Sequence, residues 1–507
     1  MQALRLVDDL LNRFTMYRVV LYGLLILAGY AVILSVFNFL SFHPLSLVVS
    51  SVVLIITCWT SNTLFAKAFK APASTESYFI TALILFFLLL PPTDIFGFLP
   101  LVLGGVMAMA SKYLLVIRKK HIFNPAAISA FILGFLGMPV VFWWVSAPVM
   151  LPVLIVVGVL IVRKTRRFVM ITAFFIVAMI TTCITQGAGM NPIELLTELL
   201  FSWPLVFFMD VMLTEPLTSP STQRMRIVYG SLVGILFGSQ FQLGPINSGP
   251  ELALIVGNIF SYIVSPKEKL MLRLKEKIQL APQIYEFIFE TSQKFSFRPG
   301  QYFEWTFAHK NPDTRGIKRY FTIASSPTEK EIHLGVRVNE KGSSFKKALL
   351  DLESGSGLSL IASQLSGDFV LPEDTAEKLV FIAGGIGVTP YRSMAQYMID
   401  QKQQRDIVLF YACVSSVDFV FKNIFEKAKA FGFKTMYVIT HKENAPAKWS
   451  GKVGYLTKAM IEDEVPDFAS RMYYLSGPQM MVDSYKALLF SLGIQPFKIK
   501  TDYFPGF

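Results

Sequence analysis

The sequence predicts a polytopic α-helical membrane domain of about ten helices, followed by a small β-barrel and then a parallel α/β domain. Three observations carry this prediction. The chain of 507 residues is 53% hydrophobic with a mean hydropathy of +0.50, too apolar for an ordinary soluble protein. The excess is one-sided, because 15 Lys and Arg with 9 Asp and Glu precede residue 265, against 32 and 26 after it. Periodicity changes at the same place, from apolar runs near the ~20 residues that cross a ~30 Å hydrocarbon core to short alternating stretches. This composition excludes a disordered chain and a purely soluble enzyme. Three cysteines, Cys58, Cys183 and Cys413, are too few for a disulfide framework or a Cys-rich metal site within one chain, so no metal site is expected.

Taken in order, Met1 to Thr15 puts Leu4, Val7, Leu10, Leu11 and Phe14 on one helical face and Arg5, Asp8, Asp9 and Arg13 elsewhere. That is an interfacial helix rather than a signal peptide. Apolar runs follow at about 16–38, 45–66, 77–91, 96–115, 125–144, 148–163, 168–184, 195–213, 226–243 and 250–265. The third and sixth are short enough to be tilted, broken or re-entrant. Basic residues fill every second connection: Lys67 and Lys70; Lys112, Arg118, Lys119 and Lys120; Arg163, Lys164, Arg166 and Arg167; Arg224 and Arg226. The loops around His43, Asp94, Ser146 and Gly187 contain neither Lys nor Arg. Positive loops stay inside, so the chain is expected in a bacterial-type inner or plasma membrane with both termini cytoplasmic.

Two segments at the cytoplasmic ends are unlike lipid-facing helix: SKYLLVIRKKHIFNPAA, Ser111 to Ala127, and LTEPLTSPST, Leu213 to Thr222. Irregular backbone at membrane depth is tolerated only where it is buried in protein or lines a cavity. Composition alone reads both as tight turns. Together with TESYFITALILFFLLLPP, Thr75 to Pro92, and FFMDVMLTEPLTSP, Phe207 to Pro220, they resemble the signature segments of the NqrB/RnfD membrane flavoprotein family. Its members are membrane proteins of the sodium-translocating NADH:quinone oxidoreductase and of the Rnf electron-transport complex. The resemblance covers most of residues 20–265. It implies ten helices in two inverted five-helix repeats, with flavin, FMN or riboflavin, held in domain 1–265. The polar contacts it implies are Thr81, Arg118, His121, Asn124, Thr214, Glu215 and Thr218. Inverted repeats put binding sites on broken helices at the repeat interface. Covalent attachment in that family uses a threonine in a Ser-Gly-Ala-Thr-type motif after the Asn-Pro segment. Residues 127–163 contain no such motif, so a noncovalent membrane flavin is expected.

After a linker at Ser265 to Lys269, the stretches LMLRLKEKIQL, IYEFIFE, YFEWTF, RYFTIA and IHLGVRV alternate as barrel strands. From Lys378 onward KLVFIAG, DIVLFYA, KTMYVIT and RMYYLSG alternate with helical stretches, the pattern of a parallel α/β sheet. These residues resemble the ferredoxin-NADP reductase family over about 268–507, which implies an FAD-binding barrel at 268–374 and an NAD(P)-binding domain at 375–507. RPGQY, Arg298 to Tyr302, opens the barrel's characteristic segment. RYFTIASSP resembles the flavin motif, with Arg319 at the FAD pyrophosphate, then Tyr320, Phe321 where the family usually has Tyr, and Thr322 near flavin N5. KGSSFKKAL resembles the second phosphate segment, offering Gly342, Ser343 and Ser344. GGIGVTP, Gly384 to Pro390, follows a strand and precedes a helix, where backbone amides can approach a dinucleotide pyrophosphate; it supplies Gly384, Gly385, Gly387, Thr389 and Pro390. SGPQMM resembles the segment beside the nicotinamide, with Ser476 in the cysteine's place and Gly477, Pro478 and Met481 following. The terminal aromatic, Phe507, would cover the isoalloxazine. Ser415, Ser416 and Asp418 stand where an adenosine ribose is read, without an obvious arginine, which favours NADH and leaves NADPH open.

The function implied is an NAD(P)H-dependent flavin oxidoreductase that takes hydride from cytoplasmic NAD(P)H onto FAD and passes electrons through membrane flavin. The acceptor is a quinone or an extracytoplasmic redox protein. No nucleic-acid partner is expected, and a homodimer stays open. A haem-based reductase is excluded by histidine count: only His43 and His121 lie near the membrane, and two bis-histidine haems need four ligands. Two alternatives stay open. One is a membrane-tethered reductase without transmembrane transfer; the other is a redox-driven sodium or proton transporter, motivated by Asp210, Glu194, Glu198 and Glu215. Cys58 and Cys183 are read as buried packing residues in equivalent helices.

Overall fold

The computed structural model describes residues 7–8, 10–70, 75–117, 120–138, 140–185, 191–239, 241–244, 246–266, 269–293, 295–313, 315–339 and 342–502. The chain divides into two compact units, Met1–Lys267 and Glu268–Phe507.

The first unit is helical: α1 (Met16–Val36), α2 (Pro44–Ala68), α3 (Thr75–Leu88), α4 (Phe98–Leu114), α5 (Pro125–Phe135), α6 (Leu151–Thr165), α7 (Phe168–Thr185), α8 (Pro192–Phe201), α9 (Leu205–Phe207, running into a π-helical turn, Phe208–Met212), α10 (Gln223–Gly238) and α11 (Pro250–Val264). Starts are set by local chemistry. Asn124 and Asn191 each accept two backbone N–H bonds ahead of a proline at the first helical position, which satisfies donors the helix leaves open. Exposed His43 caps α2 through Nδ1, 3.3 Å from Leu45 N. Glu194, read from sequence as a membrane acid, closes a capping box with Asn191.

Among the described residues four helices are long and apolar enough to cross a membrane, Met16–Val36, Pro44–Ala68, Pro148–Thr165 and Phe168–Thr185, or five if one bent pair counts as a single span. The sixth expected span is therefore one of the long ones. The break falls in the eighth instead, where Ile193–Phe201 and Leu205–Met212 meet at 72° beside Pro204, whose ring cannot continue the hydrogen-bond ladder. The fifth ends early, at Phe135. The segment beyond it turns back to close α3: the Trp144 indole donates to the Phe86 and Leu89 carbonyls at 2.6 and 3.1 Å, and the Phe142 and Trp143 amides donate to Leu88 O. Met1–Leu6 and Asp9 of the expected interfacial helix lie outside the described residues. Arg163 pairs with Asp8 at 2.6 Å and Lys164 donates to Leu11 O at 2.8 Å, fastening that segment to α6.

Both halves of this unit use one neighbour pattern. Helix α2 packs on α4, α4 on α5 and α1 on α3, while α7 packs on α10, α10 on α11 and α6 on the π turn. Close approach at α7 and α10 depends on Gly230, Gly234 and Gly238, which face the carbonyls of Met170, Phe174 and Ala178. Such small-residue seams are how helices associate where lipid removes the hydrophobic drive.

The second unit begins with an antiparallel sheet of β1 (Leu270–Ala281), β2 (Ile284–Glu290), β3 (Tyr302–Thr306), β4 (Lys318–Thr322), β5 (Ile332–Arg337) and β6 (Ser359–Ser366), in the order β4-β3-β6-β1-β2-β5. Ala324 N donates to His333 O at 2.9 Å, bringing the two edges together as a barrel requires. Helix α12 (Ser344–Leu350) lies between β5 and β6. A parallel sheet follows: β7 (Leu379–Gly384), β8 (Ile407–Cys413), β9 (Phe433–Ile439), β10 (Lys452–Val453), β11 (Met472–Ser476) and β12 (Ile499–Asp502), in the order β10-β9-β8-β7-β11-β12. β7 and β8 are buried along their whole length, as central parallel strands must be. Strand order reverses at β7, so the turns after β7 and β11 lie side by side at the crevice where such sheets bind ligands.

Candidate functional site

In the second unit, Arg319 on β4 is 4% exposed and its guanidinium is held by the Asp313 carboxylate at 2.9 and 3.1 Å and by the carbonyls of Arg315, Gly316 and Lys318. It lies over the Phe345 ring of α12. Asp313 also accepts from Ser344 N at 3.1 Å, and Ser344 Oγ bonds both Asp313 N and His309 Nε2. Ser343 caps α12 through Lys346 N. Arg319, Ser343 and Ser344, chosen from two separate motifs, thus converge. Sequence reasoning missed Asp313 and His309, whose only local signal is the turn-forming string HKNPD.

Cations crowd this cluster. Burial, reinforced by Arg315, Arg319 and Arg337, pushes the Lys346 ammonium down to about 8. Burial alone would raise the Asp313 carboxyl, but the Arg315 amide, the Arg319 and Arg315 guanidiniums and the Ser344 amide hold it at about 2. Arg337 pairs with Asp418 at 2.9 Å. Four cations therefore face two carboxylates among the described residues, and the buried Nε atoms of Arg319 and Arg337 have no acceptor. A pyrophosphate, carrying about two negative charges, fits that surplus. Asp418 now has the arginine that the sequence did not reveal, supplied by β5.

Thr322 donates to Asp502 at 3.2 Å across 180 residues, and Asp502 on β12 is in register with Ser476 on β11. All three are buried. Asp502, a carboxylate that sequence reasoning did not select, thus bonds one of the residues expected at the hydride-transfer position and is the strand neighbour of the other. Tyr320 points elsewhere, donating to Glu304 at 2.9 Å. Phe321 is a barrel-core side chain against Phe345. Phe507 and Arg118 lie outside the described residues. Gly342 sits in the turn before α12, its N–H donating to Asn339 O.

The two glycine turns meet at the switch point. A Cβ on Gly387 would lie 2.6 Å from Gly477 Cα and 2.7 Å from Gly477 N, and one on Gly384 would strike Met481 and Pro478. These two glycines serve turn-to-turn packing, so enlarging Gly387 would distort the crevice itself and not selectively block a dinucleotide. Gly385, at φ +52° with open space around it, is the position left facing a ligand. Thr389 and Pro390 start the helix α13 (Thr389–Asp400). Its Arg392 pairs with Glu329 and its Ser393 donates to Ser325 O at 2.6 Å, tying this domain to the barrel.

In the first unit one cavity is lined by Tyr17, Ile80, Thr81, Lys112, His121, Asn124, Val211, Thr214 and Glu215 among others. Glu215 accepts from Asn124 Nδ2 at 2.8 Å and Thr218 Oγ1 at 2.9 Å. Asn258 of α11, absent from the sequence reading, accepts from Asn124 N and donates to Thr218 O. Residues from all three motifs therefore surround one space. Cys58 is buried, while Cys183 is exposed on α7, which corrects the expectation that both pack inward.

A barrel joined to a parallel sheet, with glycine turns at its switch point and a cation cluster on the barrel, defines the C-terminal unit as a ferredoxin-NADP reductase-type module. The family described as "Oxidoreductase NAD-binding domain" matches residues 381–487. The chain is 27% identical over 226 residues to the glycine betaine monooxygenase reductase subunit of Chromohalobacter salexigens, covering 44% of this chain and 60% of that relative. It is 28% identical over 197 residues to the NAD(P)H-flavin reductase of Vibrio harveyi, covering 38% and 79%. The flavohem-like FAD/NAD-binding domain of nitric oxide dioxygenase from Vibrio cholerae O1 biovar El Tor aligns at 18% identity and a TM-score of 0.40, over 46% of this chain and 97% of its own. The module is thus of the NAD(P)H-dependent flavin oxidoreductase class.

Proposed function

We propose that the chain is an integral membrane electron-transfer flavoprotein, with both termini cytoplasmic. It oxidises NADH through FAD on the second unit and delivers electrons by way of noncovalent flavin in the first unit to a quinone or an extracytoplasmic redox protein. One observation carries the reading: a reductase-type module shares its chain with a helical unit in which residues from three sequence motifs line one cavity. The shared neighbour pattern of its two five-helix halves supports ten helices in inverted repeats, the short ones and the bent pair filling out the bundle. FAD, when bound, supplies two-electron acceptance and one-electron release. The residues supply the rest: Arg319, Ser344 and Lys346 bind phosphate, Gly385 leaves room for the dinucleotide, and Asp502 fixes the Thr322 hydroxyl. A second reading, ion-coupled transport, is favoured by Asp210, buried on the π turn against Gly158 of α6.

The test is NADH oxidation by the purified chain in sealed liposomes, with ferricyanide trapped inside or a quinone in the bilayer. The expected result is reduction of one of these acceptors without a cation gradient. Oxidation of NADH that reduces only an acceptor in the outer solution, dioxygen or added ferricyanide, leaves a membrane-tethered reductase, and obligatory sodium or proton movement establishes the transporter.

The FAD site also has a pH signature. With Lys346 at about 8 before binding and raised by a bound pyrophosphate, binding takes up a proton above that value. FAD affinity should be level below about pH 8 and weaken above it, by up to about tenfold per unit, as followed by flavin fluorescence. Lys346→Met should flatten that profile.

A further inference from the structure

We propose that the Asp313 carboxylate holds the place of the FAD pyrophosphate on the barrel and must rotate away for the cofactor to bind, so that Asp313 sets how readily FAD exchanges. The inference rests on the FAD reading of the second unit and assigns a residue outside both phosphate motifs. It follows from where the donors of those motifs go. Of the five N–H groups of a guanidinium, Arg319 gives those on Nη1 to the carbonyls of Arg315, Gly316 and Lys318 at 2.9, 3.0 and 2.7 Å. Those on Nη2 go to the two oxygens of Asp313 at 2.9 and 3.1 Å. That leaves Nε, which is buried without an acceptor. The Ser344 amide, from the second motif, also donates to Asp313, at 3.1 Å, as do the amide and guanidinium of Arg315, at 2.8 and 3.2 Å. One carboxylate therefore takes the donors that two separate motifs would offer a phosphate, and a phosphate can take them only in its stead.

Burial fixes which partner gives way. The Arg319 side chain is 4% exposed and the Asp313 side chain 26%, so the carboxylate stands on the solvent side of a buried guanidinium. Arg319 is built into β4, whereas Asp313 lies in the connection from β3, next to exposed Lys310, Asn311 and Pro312. The Asp313 amide donates to Ser344 Oγ at 2.9 Å, so this turn can stay docked on α12 while the side chain alone changes rotamer. Both anions make charge-assisted bonds, but a pyrophosphate brings about two negative charges against the carboxylate's one. The exchange therefore favours the cofactor, and Asp313 weakens its binding by competing. In return, Asp313 keeps a buried arginine paired whenever FAD is away, which a lone buried cation would make costly.

The experiment uses the full-length chain purified in detergent and stripped of flavin. FAD affinity is measured by equilibrium dialysis, and the thermal midpoint is read with and without FAD. Asp313→Asn keeps the shape of the side chain and removes its charge. It should bind FAD about tenfold or more tightly than wild type. Its midpoint without FAD should fall, and the rise that FAD induces should grow. Inorganic pyrophosphate, used as a competitor of FAD, should show the same order of affinity. Unchanged or weaker FAD binding in Asp313→Asn would overturn the proposal while leaving the FAD site standing, and would make Asp313 a residue that positions Arg319 for the cofactor. A wild-type chain that binds no FAD would remove the FAD reading and the proposal with it. If Asp313→Asn is not monodisperse, a cryo-EM map of the FAD-loaded wild type decides: Asp313 turned away from Arg319 supports the exchange, and Asp313 still bonded to Nη2 overturns it.

Discussion

Arg319→Ala is expected to strip FAD from the purified chain, lowering affinity by about 30- to 1,000-fold, and NADH-driven ferricyanide reduction should fall with it. The size follows from what a buried, charge-assisted fork contributes, about 2–4 kcal/mol when one partner is truncated. Arg319 is enclosed by Asp313, three carbonyls and the Phe345 ring. Its removal leaves Asp313 with Arg315 alone and cuts the cluster from four cations to three. One of the positive charges that would meet a pyrophosphate is then lost. Arg319→Lys should be intermediate, since a point charge keeps the electrostatics but loses the planar geometry. Equilibrium dialysis of FAD against both variants checks the order. Wild-type flavin content in Arg319→Ala would move the phosphate site elsewhere.

What the sequence made legible was local. The apolar helical runs, the alternating strands and the glycine turns are patterns within about twenty residues, which is the range over which periodicity and turn chemistry act. The pairs that organise the sites are distant: Asp313 with Ser344 over 31 residues, Asn124 with Asn258 over 134, and Thr322 with Asp502 over 180. No local pattern encodes these, so Asp313, Asn258 and Asp502 escape a sequence reading that finds their partners. The same limit explains α3, whose last carbonyls are closed by Trp144 from more than fifty residues away. Glycines mislead in the opposite direction. Gly387 reads as a phosphate-approach residue by its place in GGIGVTP, yet its lack of a side chain is used by the backbone of Gly477. Glu194 reads as a membrane acid by composition, yet it finishes a helix cap.

Gly234→Val is expected to disrupt the first unit, giving an aggregated chain in detergent and loss of any flavin that unit holds. A Cβ at Gly234 would lie 2.7 Å from Phe174 O and 3.0 Å from Ala178 N. Both are backbone atoms of α7, so no side-chain rotation relieves the clash and the two helices must separate. Gly230 and Gly238 share the seam, each against its own carbonyl, and separation at the middle of three contacts loosens the others. Overpacking of this kind costs on the order of 3 kcal/mol, and in the membrane setting we propose, lipid would give no hydrophobic return for pushing the helices back together. Gly29→Val is the matched control: Gly29 is on α1 with nothing within 4 Å of its would-be Cβ, and the same change in side chain should leave the chain monodisperse. The sign therefore depends on position and not on helix propensity, which penalises valine equally at both sites. Size-exclusion profiles and thermal midpoints of the two variants, read beside wild type, separate these causes. If Gly234→Val stayed monodisperse with an unshifted midpoint, close approach at α7 and α10 would not be what holds the second half of the bundle.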